Sequence, residues 1–172
     1  MTQNYFDFFG LETQFNIEIT ALEAKFRTIQ AQVHPDKFVT ASSADQHKAM
    51  QTATLANDAY QTLKSPARRA VYLLSLKGIN AVSETNTTMP MDFLMQQMEW
   101  REQLDEAKQA RNVYALEVLA GVIKTEAKQL QAHFADNFDL KNDYASATDI
   151  ARKLTFMDKV NADIRHAIEL LD

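Results

Sequence analysis

The residues best suited to do chemistry stand next to one another at His34, Pro35, Asp36 and Lys37. Proline fixes the backbone of a turn, so the imidazole of His34 and the carboxylate of Asp36 project from it in defined directions. A carboxylate held in this way is a good acceptor for the forked N–H groups of a partner's arginine. The simpler interpretation is a turn that stops a helix and leaves its charged side chains in water.

Two kinds of catalytic site are alternatives for the same residues. A small metalloenzyme would need a third ligand, and the nearby candidate is His47, which would join His34 and Asp36. General acid–base catalysis needs a cleft, whereas the tip of a helical hairpin is convex. The other histidines, His133 and His166, are isolated in the sequence. From these residues alone a solvated turn is the favoured interpretation, and we expect no catalytic residue, no metal and no cofactor.

Composition excludes several other kinds of site. The 172 residues include no cysteine, which rules out disulfides, thiolate zinc sites and cysteine-ligated iron–sulfur clusters. The three glycines, at positions 10, 78 and 121, stand too far apart for a phosphate-binding loop. With only three prolines as well, the chain lacks the turn residues that a sheet-rich fold needs. These counts favour an all-α fold.

Charge divides the chain into two parts. Residues 1–78 carry a net charge of +1, and residues 79–172 carry a net charge of −6. Neither part has the basic excess of a nucleic-acid-binding protein, so no nucleic acid is expected as a partner. An acidic part beside a nearly neutral one suggests two units that bind different partners.

The turn at residues 34–37 is predicted to join the two helices of a hairpin. The first helix begins near residues 18–20, where Thr20 and Glu23 have the spacing of a capping box. Pro35 must end this helix, because a proline disfavours the helical conformation of the residue before it. The apolar stripe of the helix consists of Leu22, Phe26, Ile29 and Val33.

The second helix of the hairpin is predicted to follow Ser42 and Ser43, which are candidate N-caps, with Gln46 three residues after Ser43. A further short helix starts at Ser65 and Pro66, a capping hydroxyl followed by a proline at the first helical position, and runs toward position 78. The stripe of the second hairpin helix consists of Ala49, Ala53, Ala56, Tyr60 and Leu63.

The C-terminal half is predicted to form a bundle of three helices. The first spans residues 92–111, the second starts near Asn112 and the third near Asp143, with a polar loop at residues 136–142. All three keep the spacing of three and four between apolar residues, so antiparallel packing is the natural arrangement. Residues 79–91 carry no helical stripe. The predicted organisation is therefore an N-terminal domain of residues 1–78, a linker of residues 79–91 and a bundle of residues 92–172.

The helix at residues 92–111 is apolar on two faces. One face is predicted to enter the bundle and contains Phe93, Gln97, Trp100, Leu104 and Ala107. The opposite face carries Met91, Leu94, Met95 and Met98, with Glu102 among them and Glu99 at the edge. Phe156 of the third helix falls outside its own core stripe and is a candidate to join this face. The surplus face either packs on the N-terminal domain or the linker, or it binds a partner through adaptable methionines.

No targeting or membrane segment is visible in the sequence. The N-terminus lacks a basic segment followed by an apolar one, and no stretch approaches the ~20 apolar residues that span a bilayer. With no cysteine either, we expect a cytoplasmic protein without a membrane partner. We also expect the protein to be monomeric.

Two separated motifs resemble the J domain. The first is the turn itself, and the second lies between residues 57 and 72 and contains Ala59, Tyr60, Leu63, Pro66, Arg69, Ala70 and Tyr72. The resemblance implies a helical hairpin with short flanking helices, whose turn engages a DnaK-type chaperone and stimulates its ATP hydrolysis. It implies as contact residues His34, Pro35, Asp36, Lys37, Lys25 and Arg27. Val33 stands where J domains usually have a tyrosine. The helix before the turn carries only Lys25 and Arg27 as cations, fewer than the basic helix that is typical of J domains.

The arrangement of nearly the whole chain is similar to the HscB family, the J-type co-chaperones of iron–sulfur cluster assembly. The similarity extends beyond Tyr72 through residues 73–78, 92–95 and 152–159. It implies a specialised DnaK-type ATPase, HscA, as one partner and the iron–sulfur scaffold protein IscU as the other. The residues that it implies for scaffold binding are Leu94, Met95, Met98, Glu99, Glu102 and Phe156. A J protein dedicated to a different client is the alternative.

Overall fold

Helices form all the regular secondary structure of residues 3–83 and 89–172, the part of the chain that the computed structural model describes. The fold divides into two compact units, Met1–Leu73 and Leu74–Asp172. The helices are α1 (Tyr5–Phe8), α2 (Ile19–Gln32), α3 (Ser43–Lys64), α4 (Pro66–Leu76), α5 (Met91–Gln109), α6 (Val113–Ala135) and α7 (Tyr144–Leu171). The all-α prediction is confirmed.

The N-terminal unit is organised around the packing of α2 on α3. Leu22 and Leu63 are fully buried between these helices, and the ring of Phe26 stacks on Tyr60 with 4.1 Å between ring centroids. Helix α1 packs against α3 as well. Arg69 at the start of α4 is almost fully buried, where its guanidinium donates to the Leu63 carbonyl at 2.7 Å. These contacts hold the two long helices as a hairpin.

The N-caps of the hairpin differ in part from the prediction. Helix α2 begins after Glu18 and has no side-chain cap, so the capping box predicted for Thr20 is wrong. Thr20 is the second residue of the helix and does not occupy the N-cap position, from which a side chain accepts from the first-turn N–H groups. Ser42 caps α3 by accepting from the Asp45 N–H at 3.1 Å. Ser65 accepts from the Arg68 N–H at 3.3 Å, which confirms the start of α4.

The C-terminal unit is a bundle of α5, α6 and α7. The second and third helices begin where predicted, after Asn112 and Asp143. Asn112 accepts from the Ala115 N–H at 3.0 Å, and Asp143 accepts from the Ser146 N–H at 3.1 Å. Hydrogen bonds from the hydroxyl and amide of Ser146 lower the pKa of Asp143. The shared core contains Phe93, Trp100, Leu104, Ala107, Leu116, Leu119, Ile123, Met157, Val160, Ile164 and Ala167.

The segment predicted as a polar loop between α6 and α7 is more ordered than expected. Residues Asp136–Leu140 form a π-helical turn, in which Phe138 is buried and stacks on Phe134 with 5.4 Å between ring centroids. The Lys141 ammonium lies 2.8 Å from the Asp136 carboxylate. The prediction failed here because it weighed the polar residues of the segment and overlooked Phe138, whose burial orders the turn.

The segment predicted as a linker is partly packed on the bundle. Ala81 is fully buried, and its carbonyl accepts from Nε of Arg152 at 2.8 Å. Residues 84–88 of the same segment lie outside the described part of the chain. The division into an N-terminal domain (residues 1–78), a linker (residues 79–91) and a bundle (residues 92–172) therefore stays a prediction. Among the described residues, no helix is both long and apolar enough to cross a bilayer.

Replacing Tyr72 with Phe tests the contact that ties α1 to α4. The Tyr72 hydroxyl accepts from the Tyr5 N–H at 2.9 Å, and the two rings stack at 4.6 Å. Burial raises the pKa of Tyr72, so the hydroxyl stays neutral at ordinary pH. Tyr72→Phe leaves a part-buried N–H without its acceptor and should lower the free energy of unfolding by about 1–2 kcal/mol, measured by chemical denaturation.

Tyr60→Phe is the matched control for this prediction. Its ring stacks on Phe26, while its hydroxyl makes no hydrogen bond within residues 3–83 and 89–172. The control should change the free energy of unfolding by less than about 0.5 kcal/mol. Equal losses from the two variants would show that the Tyr5–Tyr72 hydrogen bond contributes nothing specific.

Candidate partner-binding surfaces

The turn between α2 and α3 is held by its own backbone. Pro35–Phe38 forms a single 3₁₀ turn that begins after His34. Nδ1 of His34 accepts from the Asp36 N–H at 3.2 Å, and the Lys37 N–H donates to the His34 carbonyl at 2.9 Å. With φ fixed at Pro35, these two bonds leave the turn few alternative conformations.

The carboxylate of Asp36 is presented to solvent. Its side chain is 89% exposed, and that of His34 is 59% exposed. Oδ2 of Asp36 lies 3.6 Å from Nδ1 of His34, the atom that also accepts from the Asp36 N–H. The backbone bond needs a lone pair on Nδ1, whereas an ion pair with the carboxylate needs a proton there. Because the structure shows the backbone bond, the carboxylate is available as an acceptor for a group outside the chain.

Gln46 links the turn to α3. Its Nε2 donates to the Phe38 carbonyl at 2.9 Å and to the Ala41 carbonyl at 3.4 Å. Of the two candidate N-caps it is Ser42 that caps α3, so Gln46, three residues after Ser43, does not complete a capping box and turns back toward the 3₁₀ turn. Its contribution to the turn was missed by the sequence analysis, since glutamine at this position carries no signal for a contact eight residues earlier.

Lys25 and Arg27 lie on α2 at a distance from the turn. Nζ of Lys25 donates to the Gly10 carbonyl at 3.2 Å, which ties it to the segment that precedes α2. At 1.5 Å of rise per residue, Lys25 stands about 10 Å along the helix from Gln32, the end of α2. Arg27 is exposed. The structure therefore gives Lys25 an intramolecular partner and leaves Arg27 accessible.

The surplus apolar face of α5 lies at the surface. Met91, Met95 and Met98 are 72%, 64% and 72% exposed, and Leu94 is 38% exposed. The opposite face supplies Phe93, Trp100, Leu104 and Ala107 to the bundle core. Gln97, which was assigned to the core stripe, is half-buried. An exposed run of large apolar side chains on one helix face is typical of a partner-binding surface.

Phe156 joins one end of this face. It is half-buried, contacts Phe93 edge-on with 5.9 Å between centroids, and lies under the guanidinium of Arg101 at 5.5 Å. Arg101 is in turn held by Asp163, with 2.6 Å from Nη1 to Oδ2. Sequence reasoning missed Arg101 and Asp163, because a contact between residues 62 apart leaves no local signal.

An open groove of about 720 Å³ brings some of the predicted scaffold-binding residues together. Met98, Glu102 and Phe156 line it, together with Arg101. Leu94, Met95 and Glu99 are exposed on the same helix and do not line this groove. The further lining residues Asp105 and Glu106 add negative charge. The surface suits a partner segment with apolar side chains flanked by cations.

The described residues offer no metal centre. Within residues 3–83 and 89–172, no three His, Asp or Glu side chains gather in a metal-ligating group. His34, Asp36 and His47 therefore do not form the set that the metalloenzyme alternative requires.

Comparison with known proteins gives the same relatives for the sequence and for the fold. A family model described as the HSCB C-terminal oligomerisation domain matches residues 89–165. A co-chaperone protein HscB homolog from Paraburkholderia phymatum is 45% identical over 172 residues, which cover 100% of this chain and 98% of that protein.

Two solved structures share the fold over almost the whole chain. Chaperone HscB from Vibrio cholerae is similar with a TM-score of 0.82 and 37% identity, over 98% of this chain and 99% of that one. Human co-chaperone protein HscB is similar with a TM-score of 0.86 and 28% identity, over 96% of this chain and 82% of that one.

Replacing Gln46 with Met tests whether this side chain orders the turn. The variant keeps the length of the side chain but cannot donate to the Phe38 carbonyl. The Lys37 and Ala41 amides, which both bond within the turn, should exchange hydrogen several-fold faster. Because the lost bond is exposed, the free energy of unfolding should change by less than about 1 kcal/mol.

Gln51→Met is the control, because Gln51 is exposed on the same helix and makes no hydrogen bond to the described part of the chain. Amide exchange followed by NMR distinguishes the two variants. Unchanged exchange at Lys37 in the Gln46 variant would show that the backbone of the turn is sufficient.

Proposed function

The chain belongs to the HscB family of co-chaperones, and from that premise we propose that it binds two partners at once in iron–sulfur cluster assembly. The turn at residues 34–37 stimulates the ATPase of a DnaK-type chaperone, HscA. The exposed face of α5 holds the scaffold protein IscU. The observation that carries the proposal is the exposed apolar face of α5 in a chain that also carries the solvent-facing Asp36 carboxylate.

The proposed ATPase contact consists of His34, Pro35, Asp36 and Lys37, with Lys25 and Arg27 on the preceding helix. Asp36 is its central group, because a carboxylate that already sits in a rigid turn loses little entropy when it accepts from a partner's arginine. Lys37 and Arg27 add positive charge, which accelerates association with an acidic surface. Lys25 has the weakest support, since its ammonium already donates to the Gly10 carbonyl.

The proposed scaffold contact consists of Leu94, Met95, Met98, Glu99, Glu102 and Phe156. Leu94 and Met98 expose apolar surface that a partner would remove from water, which is the main source of affinity. Glu99 and Glu102 are exposed at the rim, so they act on the association rate and its salt dependence more than on the dissociation rate. Phe156 contributes with the part of its ring that Phe93 and Arg101 leave uncovered.

Joining the two contacts in one chain couples delivery of the scaffold to ATP hydrolysis by the chaperone. Once the scaffold is held by α5, its effective concentration near the chaperone that is bound to the turn rises without any new contact. The scaffold is thereby delivered to the ATPase while hydrolysis is being stimulated. A J protein for a different dedicated client remains the second candidate, since the apolar face of α5 would suit any partner of similar chemistry.

The proposal includes a cytoplasmic, monomeric protein that is not itself an enzyme and needs no cofactor or metal. Support comes from the chemistry of both surfaces, in which nothing beyond noncovalent contact is required. The matching family model is named as an oligomerisation domain. Sedimentation at several protein concentrations therefore tests the monomeric state directly.

Asp36→Asn tests the ATPase contact. The change keeps the shape of the side chain but removes its charge, so a charge-assisted acceptor becomes a neutral one. Stimulation of the chaperone's ATP hydrolysis should fall by at least tenfold, while thermal stability stays nearly unchanged because the side chain is 89% exposed. The measurement is steady-state ATP turnover by HscA at increasing co-chaperone concentration.

Asp58→Asn provides the control, since Asp58 is an exposed aspartate on α3 away from the turn. It should retain full stimulation. Full stimulation by a folded Asp36→Asn variant as well would refute the proposed role of the turn.

Leu94→Ala combined with Met98→Ala tests the scaffold contact. Both side chains are exposed, so the double variant should weaken scaffold binding at least tenfold, about 1.4 kcal/mol, and change thermal stability little. Leu104→Ala, a core change, should cost about 2–5 kcal/mol in unfolding free energy. Phe156→Ala is measured separately, because its contact with Phe93 makes it part of the core packing.

Val118→Ala combined with Val122→Ala is the matched control, since these side chains of α6 are 48% and 46% exposed on a different face of the bundle. Calorimetric titration with IscU should show wild-type affinity for this control. Equal affinity of the Leu94 and Met98 double variant would place the scaffold contact elsewhere.

A further inference from the structure

The sulfur atoms of the chain are unevenly exposed. There is no cysteine, so the methionines are the side chains that an oxidant can modify at sulfur. Met91, Met95 and Met98 lie on one face of α5, where the spacing of four and three residues places them in a row. Met157 is 1% exposed in the bundle core, and Met89 is packed against the same core.

We propose that Met95 and Met98 form a peroxide-sensitive modification site, at which oxidation to methionine sulfoxide releases the scaffold. This inference rests on the proposed function, because it takes the face of α5 as the scaffold contact. Methionines are adaptable contacts as long as they are apolar, and that property ends when the sulfur is oxidised. The same two side chains therefore provide affinity and a means of removing it.

The chemistry needs a hydroperoxide and no other reactant. The thioether sulfur attacks one peroxide oxygen, an S–O bond forms and the O–O bond breaks. The second oxygen leaves with the bonding pair and takes a proton, which yields water from hydrogen peroxide. The methionine loses two electrons and the peroxide gains two. Methionine sulfoxide reductases reverse the change, so the modification is suited to regulation.

Oxidation would act on the interface in two ways. The sulfoxide oxygen is a strong acceptor that must be desolvated when the partner covers it, without a donor arranged to meet it. It also places partial negative charge beside Glu99 and Glu102, which are exposed on the same helix. Both effects should weaken binding of an apolar partner segment, while the bundle core, which contains neither Met95 nor Met98, keeps its packing.

The chain contains its own controls. Met50 is 67% exposed on α3, in the N-terminal unit, and should be oxidised as readily without affecting scaffold binding. Met157 should be protected by burial. Bound scaffold should slow the oxidation of Met95 and Met98 and leave the rate at Met50 unchanged, because the scaffold covers the first two side chains only.

The test treats the full-length protein with hydrogen peroxide and locates the sulfoxides by peptide mass spectrometry. Scaffold affinity is measured calorimetrically before and after treatment, beside ATPase stimulation measured without scaffold. We expect affinity to fall at least tenfold, ATPase stimulation to stay within twofold, and treatment with sulfoxide reductases A and B to restore binding. The Met50→Leu variant should lose scaffold affinity on peroxide treatment to the same extent as the unsubstituted protein.

For the double variant Met95→Leu and Met98→Leu, scaffold affinity is compared before and after peroxide treatment of the same variant. Whatever its starting affinity, peroxide should change that affinity less than twofold, because leucine has no sulfur to oxidise. An equal loss in this variant would overturn the proposal, since the damage would then lie elsewhere. Unchanged affinity of an unsubstituted protein with both methionines oxidised would overturn it as well. Failure of the untreated protein to bind the scaffold would instead overturn the proposed function, and this inference with it.

Discussion

Burial of Phe93, Trp100 and Leu104 fixes the rotation of α5, and the exposed surface of the C-terminal unit depends on that constraint. These side chains share a core with α6 and α7, and Trp100 is 2% exposed. A rotation of the helix by one residue, about 100°, would bring out apolar side chains of this size at a cost of several kcal/mol. The methionines on the opposite face are therefore held outward by the packing of the residues behind them.

The turn between α2 and α3 is stabilised in a different way. It buries no residue and depends on short-range backbone bonds, on the fixed φ of Pro35 and on the amide of Gln46. A surface of this kind is a rigid charged point, whereas α5 presents an adaptable apolar area. The first suits recognition of a guanidinium group, and the second suits a partner segment whose side chains must be accommodated.

Much of this was predictable from the sequence, because it depends on local patterns. The three bundle helices follow from apolar spacing, and the second and third begin after Asn112 and Asp143, near the predicted starts. The failures have physical reasons. Thr20 was predicted to cap α2, whereas the helix begins two residues earlier, after Glu18, and helix ends are uncertain by one or two residues. The turn at Phe138 was predicted as a loop because its neighbours are polar. The Arg101–Asp163 pair depends on two helices meeting, which no local pattern encodes.

The central claim is that one chain couples the scaffold to the chaperone's ATP hydrolysis. The most direct test is the ATPase rate of HscA as a function of co-chaperone concentration, with and without saturating IscU. We expect IscU to lower the co-chaperone concentration needed for half-maximal stimulation, and we expect this shift to disappear when IscU cannot bind α5. Coincidence of the two titrations, while calorimetry shows that IscU is bound, would contradict coupling of the scaffold to ATP hydrolysis.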